Sequence, residues 1–169
     1  MANLLLQNAR IYAAQHRLRL AEPLGFGVHG SVFVTENNPK AGDTALKVLR
    51  EAKPYRRERD VYLRLKQTAV TEILGFKVPQ LIGFDDDLLA IEMTIVTRPF
   101  LLDFAGAYLD SFPEFSPEVW VDWEIEKREQ FGPRWSTVRR VLAALEELDI
   151  HVIDVTPSNI GFREDQIIS

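Results

Sequence analysis

Three stretches of this 169-residue chain combine residue types that could do chemistry. Residues 24–33 read Leu24-Gly25-Phe26-Gly27-Val28-His29-Gly30-Ser31-Val32-Phe33, with glycines in the spacing G-x-G-x-x-G. Glycines let backbone amides approach phosphate oxygens with no side chain in the way. A dinucleotide-binding turn has the same spacing, but it needs a strand before the glycines and a helix after them. Here β-branched and aromatic residues follow Gly30, which predicts a strand. The stretch therefore reads as a glycine loop between two strands, or as a plain hairpin turn. Further on, Ala45-Leu46-Lys47-Val48 sets a lysine in an apolar strand. Turned inward, that charge needs a partner; turned outward, it is an ordinary edge lysine. Glu58 is the available carboxylate. Tyr55, Tyr62 and Leu65 stand at i−3, i+4 and i+7 from it, so it falls on the apolar stripe of a helix predicted over 55–67. Glu51 is a rival, but it precedes Pro54. The third stretch is Asp154-Val155-Thr156-Pro157-Ser158-Asn159. A carboxylate there can take the proton of an attacking hydroxyl, and an amide oxygen can hold a divalent cation. A simple Asp/Asn-rich turn has the same composition.

The elements that must position these residues follow from period and punctuation. Residues 3–20 predict an amphipathic helix, with Leu4, Ile11 and Leu18 on one face and Arg10 and Arg17 in water. Strands are expected at 31–35 and 44–49, joined through the turn residues Asn37-Asn38-Pro39 and Gly42-Asp43. Asp85-Asp86-Asp87 reads as a hairpin tip before a strand at 88–96. Helices are expected at 101–110, at 118–130 and at 136–148. Val138, Val141, Leu142, Leu145 and Leu148 form a single buried stripe on the last of them. Residues 151–169 predict a loop with two very short strands.

Composition narrows the classes. There is no cysteine, which excludes a disulfide framework, a thiol nucleophile and a cysteine-ligated metal. The three histidines show no H-x-x-x-H spacing, which argues against a metal hydrolase. Net charge is −5, but residues 1–66 hold 12 Lys+Arg against 6 Asp+Glu, and residues 67–169 hold 8 against 19. No basic surface dominates, so neither nucleic acid nor a membrane is the expected partner. No apolar run approaches a membrane span, and Met1–Leu6 is too short for a secretory signal, so a cytoplasmic location is expected.

Taken together, the ordered motifs resemble the protein kinase-like superfamily over roughly residues 20–169. The resemblance implies an α+β fold of one domain. An antiparallel β-rich first half with one main helix (1–96) would precede a small, mostly helical, truncated second half (97–169). It also implies ATP and Mg²⁺ as ligands. Gly25, Gly27 and Gly30 would cover the phosphates, Lys47 would contact them, and Glu58 would hold Lys47. Val32, Ala45, Glu92 and Thr94 would complete the nucleotide site, with Glu92-Met93-Thr94-Ile95-Val96 as the segment that meets adenine through its backbone. Asp154 would be the catalytic carboxylate and Asn159 a metal ligand. The implied activity is transfer of the ATP γ-phosphate to a hydroxyl on a protein or a small molecule.

The sequence also departs from that pattern. Val152-Ile153 stands where His-Arg is usual, with His151 one place upstream, and Thr156 replaces a lysine. The metal-binding Asp-Phe-Gly is expected roughly a dozen residues beyond Asn159. That is at about Ser169, with Gln166-Ile167-Ile168 leading to it, and no carboxylate stands there. The alternative reading is an inactive kinase-like module that senses nucleotide or binds a protein. Its candidate surface is the aromatic-rich segment 100–135, which holds Phe100, Phe104, Phe112, Phe115, Trp120, Trp123, Phe131 and Trp135.

Overall fold

The computed structural model describes residues 2–39 and 41–164. The expected strand at 166–168 and the position of Ser169 lie outside the described residues. The fold is α+β. Helix α1 (Ala2–Gln15) is followed by strands β1 (Arg19–Phe26), β2 (Gly30–Asn38) and β3 (Gly42–Leu49) and by helix α2 (Ala52–Gln67). Short strands β4 (Glu72–Ile73) and β5 (Phe76–Lys77) precede the hairpin of β6 (Leu81–Asp85) and β7 (Ala90–Thr94). After β8 (Phe100–Leu101) and β9 (Tyr108–Leu109) come helices α3 (Pro117–Phe131) and α4 (Trp135–Glu146), then β10 (Ile150–His151) and β11 (Ile160–Gly161).

Five strands form an antiparallel sheet in the order β1-β2-β3-β7-β6. Strand alternation divides β3 between two faces. Leu46 and Val48 pack with α1, while Ala45 and Leu49 join the main core and Lys47 points the same way, toward α2. The tip between β6 and β7 is built as expected: the Asp85 carboxylate accepts the backbone N–H of Asp87 and of Leu88, both at 2.9 Å. On α2 the buried residues are Tyr55, Glu58, Val61, Tyr62 and Leu65, the stripe read from the sequence.

Helix α1 covers the outer face of the sheet, but with a different set of side chains from the expected one. Leu5, Ala9, Tyr12 and Ala13 are buried, whereas Leu4 is 59% and Ile11 38% exposed. Small alanines let the helix lie close to the strands. Tyr12 then donates its hydroxyl to Glu92 Oε2 at 3.1 Å. Leu4 and Ile11 do share a face, but it lies about 100° around the helix from the one that carries Leu5 and Tyr12, which are also seven residues apart.

The second half corrects the expectation of three helices. Residues 101–110 are not helical: β8 and β9 flank a looped segment, with Asp103 (φ 64°) and Asp110 (φ 62°) in the left-handed region. Strand pairing decides the matter, since β8 pairs with β11 and β9 with β10. Helices α3 and α4 form as expected, and Ser116 caps α3 by accepting the Val119 N–H. A four-stranded sheet in the order β11-β8-β5-β4 links residues 72–77 to residues 160–161. The main hydrophobic cluster runs from Ala45 to Phe162 across both halves.

The aromatic-rich segment is mostly core. Phe104, Phe131 and Trp135 are buried, and Phe100, Trp120 and Trp123 are half-buried. Phe112 and Phe115 remain exposed, and both lie against Trp120. No helix among the described residues is long and apolar enough to cross a membrane.

Candidate active site

The glycine stretch is the turn between β1 and β2, so it lies between strands and not before a helix. Gly27 donates its N–H to Gly30 O at 2.8 Å, closing the turn and leaving Val28 and His29 at the tip. Gly30 is required for a reason the motif does not reveal. A Cβ there would stand 2.2 Å from Val48 O, so the close approach of β2 to β3 excludes any side chain. A cleft of about 560 Å³ opens beneath this turn. Gly25, Gly27, Gly30, Val32, Ala45, Lys47, Glu58, Thr94 and Asn159 line it, which unites nine of the residues read from the sequence. Met93, Ile95 and Val96 border it at the end of β7.

Lys47 is the electrostatic centre. It is 9% exposed, and its Nζ stands 2.7 Å from Glu58 Oε2 and 3.0 Å from Glu58 Oε1. Adjacent strands explain the direction: Lys47 pairs with Val32 and with Ile91, in the middle of the sheet, so its side chain leaves toward α2. Burial alone would push the ammonium down, but Glu58 and then Asp103 outweigh it and hold Lys47 above the ordinary lysine range. Burial also pushes Glu58 up against the pull of Lys47. With both carboxylate oxygens within 3.0 Å of Nζ, the pair is ionic.

Asp103 is the member of the site that sequence reasoning missed. Its Oδ1 lies 3.0 Å from Lys47 Nζ and accepts the Ala105 N–H at 3.3 Å. The carboxylate is held below its usual range: burial works against its charge, and Lys47 outweighs burial. Asp103 lines the cleft together with Ser158 and Asn159, and both of its hydrogen bonds are made through Oδ1. A signal was present. Leu101-Leu102-Asp103-Phe104-Ala105 puts Asp-Phe after an apolar pair, the start of the motif sought past Asn159. It precedes the loop in the chain and is brought beside it by pairing, because Leu102 N–H donates to Asn159 O at 2.7 Å.

Asn159 clasps its own loop. Its Nδ2 donates to Asp154 O at 3.0 Å, and its Oδ1 accepts the Thr156 N–H at 2.7 Å. Asp154 itself is exposed and does not line the cleft. It sits at the cleft's edge against Gly106, where a Cβ would stand 3.2 Å from the Asp154 Cβ. Glu92 is also outside the cleft. Its side chain points to the α1 face, where it is 2% exposed and accepts from Tyr12, Asn38 (2.8 Å) and Thr44 (2.7 Å). The alternation along β7 forces this, since its neighbours Ile91 and Met93 face the main core.

No protein-family model and no curated protein matches this chain.

Proposed function

We propose that the cleft binds ATP with Mg²⁺ and that the chain is a kinase-like phosphotransferase acting on a hydroxyl. The observation that carries the reading is the buried Lys47–Glu58 pair joined by the half-exposed Asp103, set under a glycine turn and beside Asn159. A lysine clamped by two carboxylates serves as a fixed cation for phosphate oxygens. The N–H groups of the turn tip add partial positive charge above it. Apolar Val32, Ala45 and Met93 suit the faces of a purine ring.

Asp103 and Asn159 line the same cleft with oxygens of the type that would hold a hard divalent cation, although no group of three or more His, Cys, Asp or Glu that could hold a metal stands among the described residues. Asp103 makes both of its hydrogen bonds through Oδ1, and Asn159 Oδ1 keeps a second lone pair after accepting from Thr156. Such a cation, when bound, neutralises charge on the phosphoryl group in transit. Asp154, at the cleft's edge, accepts the proton of the acceptor hydroxyl. The acceptor oxygen bonds to the γ-phosphorus as the bond to the β,γ-bridging oxygen breaks, with ADP leaving.

Titration calorimetry tests the nucleotide step. ATP is expected to bind with Mg²⁺ present, and the affinity is expected to fall at least tenfold in Lys47→Ala and in Asp103→Asn. Absence of binding at millimolar ATP, or equal binding by all three proteins, would overturn the proposal. Asp154→Asn is expected to bind ATP normally and to lose transfer.

A further inference from the structure

Six basic side chains lie along α2, and most are already engaged. Arg59 pairs with Asp60 and Asp86, Arg64 with Asp110, and Lys66 donates to Leu81 O. Lys53 and Arg56 are exposed and have no ion pair or hydrogen bond among the described residues. Arg57 has only the face of Tyr108, 4.5 Å from its guanidinium carbon. The three border one shallow hollow of about 310 Å³ whose other wall is Ala107, Tyr108 and Leu109. Asp60 also borders it, but its carboxylate is taken by Arg59. Two further acids lie near the start of the helix: Glu51, and Asp86, which is held by Tyr55 and Arg59 and also feels the charge of Arg56. This patch stands out because the chain as a whole is acidic.

Its position matters more than its charge. Ala107 follows Gly106, which packs against Asp154. The hollow therefore adjoins the carboxylate assigned to the acceptor hydroxyl. We propose that Lys53, Arg56 and Arg57 form the docking surface for an acidic peptide segment that carries the acceptor hydroxyl; the acceptor role rests on the phosphotransfer reading above. Geometry favours a peptide over one compact anion. Positions i, i+3 and i+4 set Lys53 roughly 5–6 Å from each arginine, while Arg56 and Arg57, adjacent in the chain, diverge by about 100° around the helix. Same-face side chains of an extended peptide repeat at roughly 6.5 Å, so successive glutamates meet successive cations. With Arg57 laid flat on Tyr108, the three groups do not converge on a single point.

The test uses the full chain without nucleotide, so it is independent of ATP binding. The probe is a fluorescein-labelled peptide with glutamates at alternate positions around one serine, followed by anisotropy. Binding is expected to weaken as salt rises. The triple variant Lys53→Glu/Arg56→Glu/Arg57→Glu is expected to lose at least roughly tenfold in affinity, from three lost and reversed pairs. Arg10→Glu, on the far side of the sheet, is expected to bind as the parent does. Far-UV circular dichroism and a thermal melt confirm that the triple variant folds; if it does not, Arg56→Glu alone carries the test, with a loss of several-fold. The proposal is overturned if the glutamine version of the peptide binds equally, if charge reversal leaves affinity unchanged, or if inorganic tripolyphosphate binds and the peptide does not. Peptide binding by a protein that fails to bind ATP would sink the phosphotransfer reading and leave the docking surface standing.

Discussion

Replacing Lys47 by methionine isolates the energetics of the buried Lys47–Glu58 pair. The substitution keeps the length of the side chain and removes the charge. Glu58, 1% exposed, then faces Tyr62 and Phe104 with no cation. Breaking a buried pair from one side costs about 3–5 kcal/mol. Asp103 adds little to that figure, because its side chain is 43% exposed and water screens it. Taking about 3 kcal/mol and a urea slope of about 2 kcal/mol/M, the unfolding midpoint should fall by about 1.5 M. Lys47→Met/Glu58→Gln removes the orphaned charge, so it should recover at least about half of that loss. The pH dependence separates this account from simple loss of packing. In Lys47→Met the folded-state pKa of Glu58 rises further above its unfolded value. Its stabilising contribution is then full below the unfolded pKa and is lost as pH rises through the folded one. The single variant should thus gain on the parent as pH falls from 7 toward 5. Urea titrations of the parent, Lys47→Met, Glu58→Gln and the double variant at about pH 5 and 7 measure both effects. Additive losses, or a pH-independent gap between parent and single variant, would refute the reasoning.

Asp103→Asn should flatten the acid limb of stability: the folded pKa is depressed, so the contribution of Asp103 exists above the ordinary aspartate pKa of about 3.9 and disappears as pH falls through the folded value. Acid titration followed by near-UV circular dichroism measures this, and an unchanged acid limb would count against the Lys47–Asp103 contact. Asn159→Ala removes two hydrogen bonds that clasp the loop, so stability should fall by about 1–3 kcal/mol. Limited proteolysis should then cut between 154 and 159 while the parent resists. Gly30→Ala forces a Cβ into Val48 O and should cost about 1–3 kcal/mol or more, whereas Gly25→Ala, with open space at that position, should be near neutral in thermal melts without nucleotide.

Much of this was legible in the sequence because local rules and tertiary packing agree there. Glu58 on the apolar stripe of α2, Lys47 in an apolar strand and glycines before a β-branched run each break a burial or propensity rule, and each meets its partner in the cleft. The segment around Asp103 failed for the opposite reason. Leu101, Leu102, Phe104 and Ala105 satisfy a helical period as well as they satisfy a looped, buried segment. Only the long-range pairing of β8 with β11 decides between them, and that pairing is invisible to a local window. Glu92 was read for its backbone, and the face its side chain takes was not part of that reading. It lies in the expected strand, but the period of two turns it toward Tyr12 and away from the cleft. Asp154 and Asn159 were legible as a turn, yet the clasp between Asn159 and the Asp154 carbonyl depends on backbone geometry that composition does not carry.

The shared sheet β11-β8-β5-β4 has a consequence for motion. The two halves on either side of the cleft are joined by more than the segment that follows β7. Lys77 N–H donates to Pro99 O at 2.9 Å and Leu102 N–H to Asn159 O at 2.7 Å, so backbone ladders cross the floor of the cleft. Opening the halves like a hinged shell would break those bonds one after another. The glycine turn is tied through its backbone as well, Gly27 N–H to Gly30 O at 2.8 Å and Arg50 N–H to His29 O at 2.9 Å. A ligand that enters the cleft would therefore meet a base and a cover that are both held by backbone bonds, with the exposed side chains of Phe26 (72%) and Val28 (88%) left to move aside at its mouth.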